Sequence, residues 1–226
     1  LDDGGTVIDV TDLTTFTDDT VDSGDLGFRG HVGSLKLASL KDLNGTPLNP
    51  ADDVSYLALD IGGLNATLVG LDDLLVFNAW NVAVLVNQAA HADGVTVVAK
   101  LDWAGFTVTS GISLPVFNSE LTEAIDLGLS GGASLNVLDG LVVMTVADFT
   151  MTLGQVSGND GTTTLTDAQA LSVTLTDVDL WVGPGGTLDD GGSAIDVTDV
   201  GTFTDDTVGS GDLGFRGHVG SLKLAS

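Results

Sequence analysis

The sequence predicts an all-β fold, built as β-solenoid-like stacked coils with bulged or cornered strands, and a β-sandwich repeat domain is the alternative. Three observations predict this class. Asp supplies 30 of the 32 acidic residues and there are 31 glycines, a composition typical of strands and turns rather than helices. Apolar residues recur at every second position in several stretches. The opening of the chain also occurs again at its other end.

The repetition covers residues 1–39 and 188–226, which are identical at 34 of 39 positions. The five differences are Thr6/Ser193, Val7/Ala194, Leu13/Val200, Thr14/Gly201 and Asp22/Gly209. The period is therefore 187 residues. We divide the chain into the end of one repeat (1–39), the remainder of the repeat (40–187) and the start of the next copy (188–226), as expected of a window from a longer tandem array.

Residues 1–25 are rich in Asp, Thr and Gly, which predicts turns and short edge strands. From Phe28 onward apolar residues alternate with polar ones, and the alternation changes parity at two-residue steps. In residues 142–153, for example, apolar residues occupy even positions up to Val146 and odd positions from Phe149. Such steps fall near Ser34, Asp60, Asp102, Asp148, Asp177 and Ser221.

In an uninterrupted strand, such a step would turn the later apolar residues to the opposite face of the sheet. A β-bulge absorbs the step, and so does a solenoid corner that keeps the same face inward. A tight hairpin is less suitable because Ala147-Asp148 and Thr176-Asp177 lack glycine. We favour the corner.

Other stretches are less regular. Residues 95–108 are a looser member of the strand pattern, with Gly105 where a bulge would lie. Residues 86–93 and 119–126 are compatible with one or two helical turns at the ends of coils or sheets.

The net charge of −26 disfavours nucleic acid and anionic membrane surfaces, and it favours cations as partners. The chain has no cysteine, so disulfides and thiolate metal sites are excluded. The longest apolar run, residues 74–86, is too short to span a bilayer. Membrane insertion is therefore not expected.

Clustered Asp residues in the repeated block are candidate calcium ligands, because crowded carboxylates repel one another unless a cation neutralises them. The candidates are Asp2, Asp3, Asp9 and Asp12, with their copies Asp189, Asp190, Asp196 and Asp199. No established calcium-loop motif is present. The other interpretation is a solvated acidic surface.

No catalytic residue is predicted. His31 and His218 are one position in two copies, and neither they nor His91 have a partner at metal-ligand spacing. Trp80, Trp103 and Trp181 could stack on sugar rings, but each lies in an apolar strand pattern that favours core packing.

The repeated block contains scarce cations that are candidates for fixing the register between neighbouring repeats. They are Arg29 and Lys36, with their copies Arg216 and Lys223. We expect them to pair with Asp-rich turns of a neighbour.

The long repeat, the bias toward Asp, Thr, Gly and Val, the lack of Cys and the scarcity of Lys and Glu resemble the giant tandem-repeat surface proteins of bacteria, which are adhesin-like or matrix-forming β-rich chains. The sharpest element is the duplicated LDDGG…GFRGHVGSLKLAS block. The resemblance implies secretion to the cell surface or beyond, calcium binding in many members, and a role as spacer, fibre or coat.

We therefore expect a structural repeat of an extracellular filament, sheath or matrix protein that self-assembles through β contacts between repeats, with further copies of itself as partner. Contact with polysaccharide or a cell surface is a further expectation. The alternatives are a calcium-stiffened spacer of a surface adhesin and, less favoured, a polysaccharide-acting β-helix enzyme.

Overall fold

A computed structural model of the chain describes residues 26–192 and 194–226. They form a seven-stranded sheet, a two-stranded sheet and very little helix, which confirms the all-β prediction. The strands are β1 (Gly27–Asp42), β2 (Val54–Val69), β3 (Leu75–His91), β4 (Ile125–Val137), β5 (Val142–Asn159), β6 (Thr164–Val182), β7 (Thr187–Asp189), β8 (Thr207–Gly209) and β9 (Phe215–Ala225). A 3₁₀ turn (Pro50–Asp52) and one helical turn, α1 (Gly201–Thr204), complete the elements.

The large sheet is a meander in the order β1-β2-β3-β4-β5-β6-β9, and every neighbouring pair is antiparallel. Short hairpins join several neighbours. In the β4–β5 turn, Leu138, Asp139 and Gly140 all have positive φ, and the Leu141 amide donates to the Val137 carbonyl. The predicted solenoid of stacked coils is not found in the described residues, since coils would place parallel strands side by side.

The predicted steps near Ser34, Asp60, Asp148, Asp177 and Ser221 lie inside strands, so they are bulges and not corners. The step predicted near Asp102 lies in a connecting segment outside the strands. Two β3 residues between Trp80 and Ala83 face a single β4 residue between Gly132 and Ser130. Each of the other large-sheet strands likewise has one residue more than β4 at this level. These extra residues form a row across the sheet, which we call the crease. The row consists of Gly33, Gly63, Asn81, Ala147, Asp177 and Gly220. The left-handed φ of 64° at Gly63, 51° at Asn81 and 48° at Asp177 is what such bulges use.

Two connecting segments cover one face of the sheet, which we call the covered face. They are the first cover segment (residues 92–124) and the second cover segment (residues 183–214). From Leu127 to Val137 β4 alternates without an extra residue, so its even-numbered side chains share one face. On that face Ser134 donates to Asp206 of the second segment, and Leu85, the β3 partner of Gly128, packs against Leu121 of the first. Both segments therefore lie on the same side.

Each cover segment brings its own apolar residues onto the sheet. The first packs Trp103, Phe117 and Leu121 against Ala58 and Leu85. The second packs Val197 and Phe203 against Trp80, and Val208 of β8 against Val143 and Trp181. All three tryptophans are buried, as the core interpretation predicted.

Some local expectations were wrong. Residues 95–108 form no strand, and residues 86–91 belong to β3 instead of a helix. Residues 119–124 are turns that lead into β4. Within the described ranges, no helix is long and apolar enough to cross a membrane.

Candidate functional site

The two outer strands of the large sheet have the same sequence. β9 repeats residues 28–38 of β1 without a difference. In the described part of the chain, β1 pairs with β2 alone and β9 pairs with β6 alone. Both strands run in the same direction, because five antiparallel strands lie between them. The repeated strand therefore pairs through one of its hydrogen-bonding edges as β1 and through the other edge as β9.

When cross-strand partners are followed from β1 to β9, each complete series of partners leads to a position two residues beyond the copy of its first residue. Cross-strand partners of Leu35 run through Ile61, Val84, Leu129, Met151 and Val173 to Leu224. Leu224 is the copy of Leu37, two residues further along. On the other side of the crease, the partners of Arg29 run through Thr67, Asn78, Ser134, Thr145 and Asp179 to His218. His218 is the copy of His31, again two residues further, and an even displacement keeps each side chain on its original face.

In each copy of the repeated strand, a different side chain contacts a carboxylate of the adjacent strand. Lys36 of β1 reaches Asp60 of β2, with Nζ 3.0 Å from Oδ2. His218 of β9 reaches Asp179 of β6, with Nδ1 3.2 Å from Oδ1. The copy of Lys36, Lys223, lies opposite Thr174, which cannot pair with a charge.

The predicted assembly cations thus differ in their surroundings. Within the chain, Lys36 pairs with Asp60 on the adjacent strand β2. Arg29 lies near Asp196 of the second cover segment. Hydrogen bonds from Thr198 lower the pKa of Asp196, and the nearby Arg29 and His31 lower it further. Among the residues described, neither Arg216 nor Lys223 forms an ion pair.

The candidate calcium ligands are only partly in view. Asp2, Asp3, Asp9 and Asp12 lie outside the described residues. The carboxylates of Asp189, Asp190, Asp196 and Asp199 each accept a backbone N–H two residues further along, from Gly191, Gly192, Thr198 and Gly201. These four side chains shape turns of the second cover segment. Over residues 26–192 and 194–226, no three acidic or histidine side chains are grouped to hold a metal ion.

A buried polar cluster beneath the second cover segment was missed by sequence analysis. Asp206 accepts from the Ser134 hydroxyl at 2.6 Å and from Asn78 Nδ2 at 3.2 Å, while Thr67 donates to Asn78 Oδ1 at 2.8 Å. Burial raises the pKa of Asp206, although these two hydrogen bonds act in the opposite direction. Polar residues at otherwise apolar strand positions were the available signal.

A second buried amide fastens the same cover segment to the sheet. Asn65 Nδ2 donates to the Val197 carbonyl at 2.9 Å, and Asn65 Oδ1 accepts from the Asn81 amide at 2.8 Å. The Asn65 side chain therefore joins the crease to the cover.

An open cleft of about 400 Å³ lies between β1–β3 and the second cover segment. Its polar lining includes Arg29, Asp72, Asp190 and Asp206. Three carboxylates and one guanidinium therefore line this cleft.

No known protein family, curated protein or solved structure matches this chain.

Proposed function

We propose that this chain is a structural repeat of an extracellular filament, sheath or matrix protein, in which one antiparallel sheet continues from repeat to repeat. The observation that carries the proposal is the identical strand at both edges of the sheet, in the same direction and on the same faces. An unpaired strand edge is a template for further pairing. Among the described strands, β1 pairs on the edge that β9 leaves unpaired, and β9 pairs on the edge that β1 leaves unpaired.

The junction follows from combining the two observed environments. In a chain with further copies, each repeated strand would pair with β6 of the preceding repeat on one edge and with β2 of the following repeat on the other. Its histidine would meet Asp179 as His218 does, and its lysine would meet Asp60 as Lys36 does. Lys223 would then gain the partner that Thr174 cannot supply.

The dimensions follow from strand geometry. Six strands per repeat, about 4.8 Å apart, give a rise of about 29 Å. The two-residue displacement adds a shift of about 7 Å along the strand direction for each repeat. This continuous meander takes the place of the solenoid, while the strands still stack along the axis.

The role would be mechanical. Ladder hydrogen bonds would cross every junction. Tension along the axis would therefore be borne by the hydrogen bonds between strands that are paired on both edges. The extracellular location rests on the likeness to giant tandem-repeat surface proteins. It predicts that the protein is found in the material outside the cell.

A chain of two complete repeats tests the proposal: residues 1–226 followed by a second copy of residues 40–226. Because the chain has no cysteine, spin labels can be attached at Ser34, at Ser221 and at the third copy of this position, two at a time. We expect about 29 Å between adjacent copies and about 58 Å between the outer two.

The pair at Ser34 and Ser221 is the internal control, since it measures one repeat. A narrow distribution for this pair with a broad one across the added junction would mean separate domains on a flexible linker. That result would overturn the continuous sheet.

A further inference from the structure

The face of the large sheet opposite the cover segments is apolar from edge to edge, and we call it the open face. Cross-strand partners share a face, so the partners of Leu35, which run from Ile61 to Leu224, form one apolar row across all seven strands. On the other side of the crease, the Phe28 and Phe77 rings meet at 6.3 Å on the same face. Between these levels lies a row of Gly, Ala and Val residues that begins at Gly30 and ends at Val219.

The apolar face escaped sequence analysis because apolar alternation was expected to mark the buried side. The side chains under the cover segments are instead the more polar set. They include Asn65, Asn78, Ser134 and Asp60. The cover segments supply the apolar partners on that side from Trp103, Phe203 and their neighbours.

Charge is absent from the open face at the levels between Phe28 and Leu37. Of the charged residues on the strands there, Asp60, Asp148 and Asp179 lie on the covered face, as do Arg29 and Lys36 with their copies. Asp177 lies at the crease and lines a cleft with Phe203 of the second cover segment. In a protein of net charge −26, this part of the sheet surface is therefore neutral.

The open face is accessible along its edge strands, where Phe28 is 68% exposed, Leu35 is 61% exposed and Leu224 is 55% exposed. In its middle, Val146 and Val178 of the small-residue row are buried. Seven strands about 4.8 Å apart and ten residues at about 3.4 Å each give a face of about 1,100 Å². Exposed apolar patches on soluble monomers rarely exceed a few hundred Å² and mark interaction sites when they do.

We propose that the open face packs against the open face of a second copy of this chain, as the two sheets of a β-sandwich pack about 10 Å apart. Two such faces would bury about 2,200 Å², which lies within the range of stable homodimers. The row of small residues forms a groove beside ridges of Leu, Val and Met side chains, so the two sheets can interdigitate.

Charge distribution favours this occupant over the alternatives. Face-to-face pairing places the acidic cover segments of both copies outward, as far apart as the pair allows. Residues 1–25 carry eight Asp and are poorly suited to cover an apolar face. Their copy, residues 188–212, packs on the covered face instead. An anionic lipid surface would be repelled by the acidic rim.

The inference goes beyond the proposed function and does not depend on it, because a single chain already presents the whole face. If both hold, the filament is a ribbon of two sheets with apolar surfaces inside and cover segments outside.

The test is the mass of the purified 226-residue chain by sedimentation equilibrium. We expect a species of twice 22.9 kDa that persists to about 1 μM and does not weaken in high salt, since apolar contacts are not screened. Val173→Glu places a charge inside the proposed interface, and we expect it to weaken the dimer at least about 100-fold. Ser172→Glu is the matched control, because its side chain is exposed on the covered side of the same strand, and we expect a change below about threefold.

A second pair keeps the test valid if Val173→Glu does not fold. Leu35→Glu lies on the edge strand β1 at a largely exposed position, and Ser34→Glu is its neighbour on the opposite face. Tryptophan emission reports folding independently, because Trp80, Trp103 and Trp181 are all buried between the cover segments and the sheet. We expect only Leu35→Glu of this pair to yield monomer.

Three results would overturn the inference. These are a monomeric wild-type chain at about 50 μM, equal effects of the two substitutions in each pair, or binding to neutral lipid vesicles in place of self-association. A monomer that nevertheless gives 29 Å and 58 Å label distances in the two-repeat chain would contradict face pairing and leave the continuous sheet standing. A dimer without those label distances would support face pairing and contradict the continuous sheet.

Discussion

Asp206 is the side chain in which burial and charge conflict most directly. Its Oδ2 accepts two hydrogen bonds, but its Oδ1 is buried with no partner among the described residues. The raised pKa means that the folded state takes up a proton before the unfolded chain does as pH falls. The ionised carboxylate of Asp206 therefore lowers the free energy of unfolding at neutral pH. This destabilisation disappears as pH falls through the folded-state pKa, because the carboxylate becomes protonated.

We predict that Asp206→Asn stabilises the protein at pH 7 by about 1 kcal/mol, because the amide oxygen keeps one acceptor and the buried charge is removed. The gain should shrink as pH falls through the raised pKa of Asp206, because the wild-type carboxylate then takes up a proton. Chemical unfolding over a series of pH values from 7 downward measures the difference. A variant that is less stable than wild type at pH 7 would show that the charge is needed.

Two turn glycines separate steric crowding from backbone strain. Gly140 has φ 88°, and a Cβ there would lie 1.9 Å from the Gly186 carbonyl oxygen, whereas Gly161 has φ 94° with open space around it. We predict that Gly161→Ala costs about 1 kcal/mol from the left-handed conformation alone. Gly140→Ala should cost several-fold more, and thermal unfolding of the two variants checks the order. Equal losses would mean that the β4–β5 hairpin can move away from β7 and its loop.

At the scale of the strand, the sequence predicted where the side-chain alternation changes parity as well as where strands lie. The parity steps in residues 28–37 and 142–153 lie inside β1 and β5, and β4, which lacks a step, also lacks the extra residue. Whether each step is a corner or a bulge could not be predicted, because alternation reports the phase of the side chains and not the direction of the chain beyond the step. The cover segments were missed for a similar reason, since Trp103, Phe117 and Leu121 follow no period.

The crease gives a prediction about whole strands. Deleting Asp177 would shift one half of β6 by one residue relative to the other, so that Val173 and its neighbours would turn to the covered face. We expect loss of cooperative unfolding, measured by circular dichroism during heating. Deleting Gly111, in the exposed loop of the first cover segment, is the control and should leave the transition in place. A cooperative transition in both variants would mean that the crease does not set the faces.

At the scale of the molecule, the duplicated block predicted that one repeat meets the next but not how. The identity of residues 27–39 and 214–226 shows which residues recur, while only the sheet order shows that the copies lie at opposite edges. The two-residue displacement arises from six successive registers and has no signature in any one strand. The choice of covered face likewise depends on which side the long connections cross.

The most direct measurement is electron cryomicroscopy of a chain with four consecutive copies of the repeat. The continuous sheet predicts a rise of about 29 Å per copy, with strand density spaced about 4.8 Å apart running unbroken through every junction. Compact beads separated by gaps in the strand density, at any spacing, would contradict it.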